Sequence, residues 1–132
     1  MPDPESFDID EQESGSYIAT VTDDLGALLP GSTLLSLQLT LYVIRQDGTI
    51  TFVNGRNHQN VLNVNNVTVT DVLQTLADGR TYNLRWRIQP ADTTLVEVLP
   101  YERHLFLFEW SWNTGAGKQE GVLVVKNLTV VP

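Results

Sequence analysis

"LLSLQLTLYVIR", residues 34–45, is the stretch whose reading decides the fold. Leu35, Leu37, Leu39, Leu41 and Val43 fall on one side of an extended strand, and Ser36, Gln38, Thr40 and Tyr42 fall on the other. Helical spacing would scatter these leucines around a cylinder, whereas a pleat gathers them onto one core-facing side. Thr, Tyr, Val and Ile also suit a pleated surface. "RQDG" (45–48) follows as a hairpin turn, because Asp-Gly supplies the positive φ that tight hairpins need. "TITFV" (49–53) is the returning strand.

Working outward, the same grammar repeats. "YIATVTDD" (17–24) alternates before turn signals at Gly26 and Pro30-Gly31. "TYNLRWRI" (81–88) sets Tyr82, Leu84, Trp86 and Ile88 against Asn83, Arg85 and Arg87. "QPAD" (89–92) reads as a turn and "TTLVEVL" (93–99) as a strand stopped by Pro100. "HLFLFEWSW" (104–112) and "GVLVVKNLTVV" (121–131) close the chain, joined by "NTGAGKQE" (113–120) as a glycine-rich loop. "DVLQTLADGR" (71–80) has two readings. It is a helix capped by Asp71, with Val72, Leu73 and Leu76 on its face, or an irregular loop between strands. Short strands punctuated by turns predict an all-β, antiparallel sandwich, immunoglobulin-like in the first place and a jelly roll in the second.

Composition limits the function classes. The chain has 132 residues, a formal charge of −8 and no cysteine, which excludes disulfides, thiolate metal ligands and a cysteine nucleophile. Residues 1–13 carry six acids and no base, leaving ten acids and eight bases for the remainder. Residues 1–15 are therefore expected to form an acidic, extended N-terminal arm, and residues 16–132 the sandwich domain. Neither part has the basic footprint of a nucleic-acid binder. The start lacks the charged and apolar regions of a signal peptide, and no apolar run reaches the ~18 residues of a membrane span. No nucleic-acid or membrane partner is expected, and without a secretory signal the sequons at Asn66 and Asn127 are expected to stay unmodified.

Several residues invite a chemical reading. "VNGRNHQNVLNVNNVTVTD" (53–71) gathers asparagines around Arg56 and His58. Asn54-Gly55 is a turn, Val61 to Val64 and Val67 to Thr70 are short strands, and Asn65-Asn66 fits a two-residue hairpin between them. Asn57, Asn60 and Asn63 remain as a polar loop and strand face. His58 and His104 lack any spacing that would make a metal pair, so a solvated His58 and a hydrogen-bonded His104 are expected. Asp23-Asp24 flanks a turn, and Glu97 and Glu109 fall on different strands, so neither makes the facing carboxylates of a glycosidase. "GAGKQE" lacks the spacing and the Ser/Thr of a phosphate loop. Phe106, Phe108, Trp110 and Trp112 share a face that is either a sandwich core or a sugar-stacking platform, with core preferred because the strand is apolar on both sides. No catalytic residue, metal site or cofactor is expected.

Residues 90–132 carry an E-R-H-x-x-L-F-E-W-x-W type of strand in "YERHLFLFEWSW", a Gly-Lys-Glu hairpin and an N-L-x-x-V-P end. With "GRNHQNVLN" and "LQLTLY" earlier in the chain, this pattern resembles a group of small structural proteins encoded by tailed bacteriophages and prophages. The resemblance covers most of residues 17–132, weakly over 71–88. It implies a non-enzymatic, immunoglobulin-like virion component. The expected role is a capsid decoration or cement protein bound to the major capsid protein or other virion subunits and forming a homo-oligomer. A neck or tail component, or a carbohydrate-binding adhesin module, is the alternative. Expected contact residues are Phe7 and Ile9 in the arm, which would anchor it along a neighbour by main-chain pairing, with Arg56, Gln59 and Asn60 in the resembling segment.

Overall fold

A computed structural model describes residues 15–97 and 99–127, together with the main chain of residues 5–10. The architecture is all-β, two sheets packed face to face, with no α-helix among the described residues. Strands β1 (Glu5–Asp10), β9 (Gly115–Lys126), β8 (Tyr101–Trp112), β3 (Leu34–Ile44) and β4 (Ile50–Phe52) lie in that order in sheet A, and the two-residue β5 (Gln59–Asn60) pairs with β3 beside β4. Sheet B has the order β2 (Gly15–Ala19), β7 (Thr81–Ile88), β6 (Val67–Thr75). All pairings are antiparallel except β1 with β9.

The leucine strand is the floor of the core. Leu37, Leu39, Leu41 and Val43 are buried, and each contributes about 1.5–3 kcal/mol through removal of apolar surface from water. Leu35 departs from the expected face. The register steps from Ser36↔Ser111 to Leu34↔Trp112, so Leu35 is an extra residue, a β-bulge that turns Leu34 inward and leaves Leu35 69% exposed. Opposite this floor, Tyr17, Val67, Val69, Leu84, Trp86 and Ile88 come down from sheet B. Phe106 and Phe108 fill the middle, edge-to-face with each other and with Trp86. The aromatic face of β8 is therefore core, as expected of a strand hydrogen-bonded on both sides.

Four expectations are corrected. "NTGAGKQE" is not a loop: Asn113-Thr114 makes the turn, and the rest is strand β9. Its glycines provide room, because Gly115, Gly117 and Gly121 lie opposite Trp112, Trp110 and Phe106, and a Cβ at any of them would run into the facing ring. "DVLQTLADGR" is neither helix nor loop. β6 continues to Thr75 through a register shift between Val69 and Gln74, and the turn closes where Leu76 donates to Arg80 O at 2.8 Å. "TTLVEVL" is not a strand over its described residues: a 3₁₀ turn at Pro90–Thr93 leads into irregular chain, whose amides at Val96 and Glu97 donate to the Glu102 carboxylate instead of a ladder. Val61–Val64 is not a strand either, because Asn63 has φ 55° and pairing ends at Asn60. The acidic arm supplies the outermost strand of sheet A, with Glu5↔Gly121 through Asp10↔Lys126 in register. The side chains of Phe7 and Ile9 lie outside the described residues.

Candidate functional site

The asparagine-rich segment is built on left-handed backbone. Asn54, His58, Asn63, Asn65 and Asn66 all have φ between 51° and 70°, a region asparagine enters more readily than other side-chain-bearing residues. Asn54-Gly55 makes the expected turn, with Arg56 N donating to Val53 O at 3.1 Å and Arg56 O accepting from Leu41 N at 2.8 Å. Those bonds fix Arg56 against β3 and direct its side chain into the fold, where it is 1% exposed beneath Trp86, the guanidinium carbon 5.6 Å from the ring centroid.

Around Arg56 lies a buried polar cluster. Its Nε donates to Asp92 Oδ1 at 2.7 Å and Nη2 to Oδ2 at 3.3 Å, a forked pair in which both carboxylate oxygens are engaged. Nη1 donates to Gln59 Oε1 at 2.9 Å and Asn65 O at 3.3 Å. Asp92 is held by the 3₁₀ turn as the third residue of a capping box, accepting from Gln89 N at 2.8 Å and Asn54 Nδ2 at 2.9 Å. Its carbonyl lies 3.0 Å from His104 Nδ1. A carbonyl only accepts, so Nδ1 carries hydrogen and donates. His104 Nε2 then faces Glu102 Oε1 at 2.6 Å, a contact that needs a proton between ring and carboxylate. Glu102 completes its shell with Val96 N and Glu97 N, each at 2.7 Å.

On paper this is a carboxylate–imidazole pair beside an arginine–carboxylate pair. In space it is a strut. Arg56, Asp92, Glu102 and His104 are 0–2% exposed, and their polar atoms are spent on one another, on the side chains of Asn54 and Gln59, and on the backbone of Asn65 and residues 89–97. What they do is fasten the irregular β7–β8 connection across the end of the sandwich. The hydrogen-bonded His104 agrees with the sequence expectation, which gives no role to Asp92 or Glu102. Two signals were present: the Q-P-A-D capping pattern, and the i, i+2 spacing that puts Glu102 on the same inward face as His104.

Of the expected contact residues, Arg56 lies inside the fold and Gln59 is half-buried as its hydrogen-bond partner, because left-handed turns on either side roll this segment onto β3. Asn60 is exposed, although its carbonyl accepts from Asn65 Nδ2 at 2.8 Å. His58 is exposed, 3.5 Å from Glu109 and bonded to Asn57. Asp23 Oδ1 accepts from Leu25 N and Ala27 N, both at 2.9 Å, and so caps its own turn. Glu97 Oε1 accepts from Gln46 N at 2.9 Å. Among the described residues no three metal-ligating side chains converge.

The aromatic platform requires two exposed rings in one plane. Of the Tyr and Trp rings that could stack on a sugar, Trp86 and Trp110 are buried, Tyr82 and Trp112 half-buried, and Tyr101 exposed. A cleft of about 490 Å³ does open between the β8–β9 hairpin and residues 20–24, walled by Trp110 and Trp112. Both indole N–H groups point away from ligand duty, to Thr22 O at 3.2 Å and Thr114 Oγ1 at 3.0 Å. No helix among the described residues is long and apolar enough to cross a membrane. The chain matches no family model and no curated protein.

Proposed function

We propose that this chain is a non-enzymatic structural protein of a phage-type virion, in the first place a capsid decoration or cement protein that binds neighbouring capsid subunits, with a neck or tail position as the alternative. The observation that carries the reading is the fate of the polar motif residues. In the segment that resembles phage structural proteins, Glu102, His104 and Arg56 are consumed in holding the sandwich rigid, and work is left to the surface. A rigid module with an edge strand at its N-terminus suits a role in which geometry, repeated by symmetry, multiplies a modest contact. The immunoglobulin-like assignment belongs to the same proposal. It is supported by the order β2-β7-β6 facing β9-β8-β3-β4, which matches the B-E-D and G-F-C-C′ order of such sandwiches.

The reading is tested by adding purified chain to particles from which it is missing and sedimenting them. Saturable uptake, with a higher temperature of genome release in the loaded particles, is the expected result. Failure to co-sediment with any particle, head or tail, overturns it.

A further inference from the structure

The outward face of sheet A is divided. Towards the β8–β9 turn it carries Ser36, Gln38, Glu109, Ser111 and Lys118. Towards the β3–β4 hairpin it is apolar. The ladder aligns Phe52, Tyr42, Leu105 and Val122 in one row across four strands, flanked by Ile44, Ile50 and Val124 on one side and Leu107 on the other. Val122 is buried at the end of this row, Tyr42, Leu105, Leu107 and Val124 are half-buried, and Phe52, Ile44 and Ile50 are 44–56% exposed. From strand spacing and rise, the patch measures roughly 20 Å by 20 Å, on the order of 400 Å², a size that marks interaction sites on soluble proteins. The outward face of sheet B presents Ser16, Thr68, Arg85 and Arg87 with Ile18, and its edge strand β6 leaves Val72 and Leu73 exposed where its register shifts. Two shallow depressions, of about 160 and 380 Å³, lie on the apolar half of sheet A and share Arg103 and Leu105.

We propose that this half-face is an isologous interface covered by a second copy of the same chain. The charges around it select that occupant. Arg103 lines both depressions, with Glu97 beside it in one and Glu120 in the other, so the rim offers both signs of charge to a copy of itself. The register makes it self-complementary. A two-fold axis along the row Phe52–Tyr42–Leu105–Val122 sets the Arg103–Val124 row of one copy on the Leu107–Glu120 row of the other. Each Arg103 then lies beside the second copy's Glu120, whose intrachain ion pair is a loose 3.9 Å contact with Lys118. Apolar centre, Arg and Tyr at the margin and a polar rim are the anatomy of a specific interface, and the twist of two facing sheets is accommodated by a crossing of about 30°. The inference deepens the assembly reading by naming one partner, yet it is measured on the purified chain and stands or fails separately from presence in a particle.

Light scattering coupled to size exclusion, over about 1 to 100 µM full-length chain, tests it. The wild type is expected to reach twice the chain mass. Arg103→Glu and Glu120→Arg, at surface positions that leave thermal melting unchanged, should each weaken the dimer by about tenfold or more, and the double reversal should restore it. A chain that stays monomeric across the range, or a dimer indifferent to both reversals, overturns the proposal.

Discussion

Arg56 shows how far a single side chain is committed to structure. Replacing one member of a buried ion pair leaves the other desolvated and uncompensated, so Arg56→Met is expected to cost about 3–5 kcal/mol in equilibrium denaturant unfolding. A cost below about 1 kcal/mol would place Arg56 among exposed ion pairs instead. Asp47 and Asp78 behave differently because they are solvent-exposed. The Thr49 hydroxyl, then its amide, holds the Asp47 carboxyl below the ordinary 3.8, and the Arg80 amide, then its guanidinium, does the same for Asp78. A lowered folded pKa means that the stabilisation is fully present above 3.8 and is lost as pH falls through the folded value. Asp47→Asn and Asp78→Asn should therefore lower the melting temperature slightly at pH 7, and the difference from wild type should vanish in strong acid. At this scale the turn asparagines were legible, because left-handed backbone is a local preference. The inward turn of Arg56 was not, since it depends on a carboxylate 36 residues away.

Elements were legible where alternation and burial agree and illegible where a tertiary neighbour overrides local preference. β3 declared itself, but the bulge at Leu35 depends on its partner β8 and cannot be read from alternation in one strand. Leu34→Asp should accordingly unfold the chain, whereas Leu35→Asp should leave the melting temperature nearly unchanged; the reverse ranking would contradict the bulge. The glycines of β9 looked like loop because glycine is poor in strands. Their purpose, space for Trp112, Trp110 and Phe106, lies in the facing strand. Gly121→Ala forces a methyl group against Phe106 and is expected to cost about 1–3 kcal/mol by overpacking, read from thermal unfolding, while Ala116→Ser, at an exposed position, should be neutral. The β7–β8 connection read as a strand because "TTLVEVL" has strand composition. Glu102 captures two of its amides, and no pattern inside the segment could announce that.

For the whole molecule, the two-sheet architecture followed from strand count and turn spacing, while the parallel docking of β1 on β9 did not. Parallel pairing of β1 with β9 is the most non-local strand pairing among the described residues. Without β1, sheet A would end on the open edge Gly121–Lys126, a row of unpaired amides and carbonyls. Deleting residues 1–10 is expected to raise self-association through that edge, seen as higher-order species in sedimentation velocity; an unchanged profile would show that β1 does not protect it. The polar cluster that first suggested chemistry is a strut, and the outward face of sheet A is where the molecule has surface to offer. A protein that works by its surface in a repeated assembly must be present in that assembly in fixed stoichiometry. Quantitative mass spectrometry of purified particles tests this most directly. A decoration role predicts copies on the order of hundreds per particle, a ring in the neck or tail predicts about six or twelve, and particles without the chain would contradict the account.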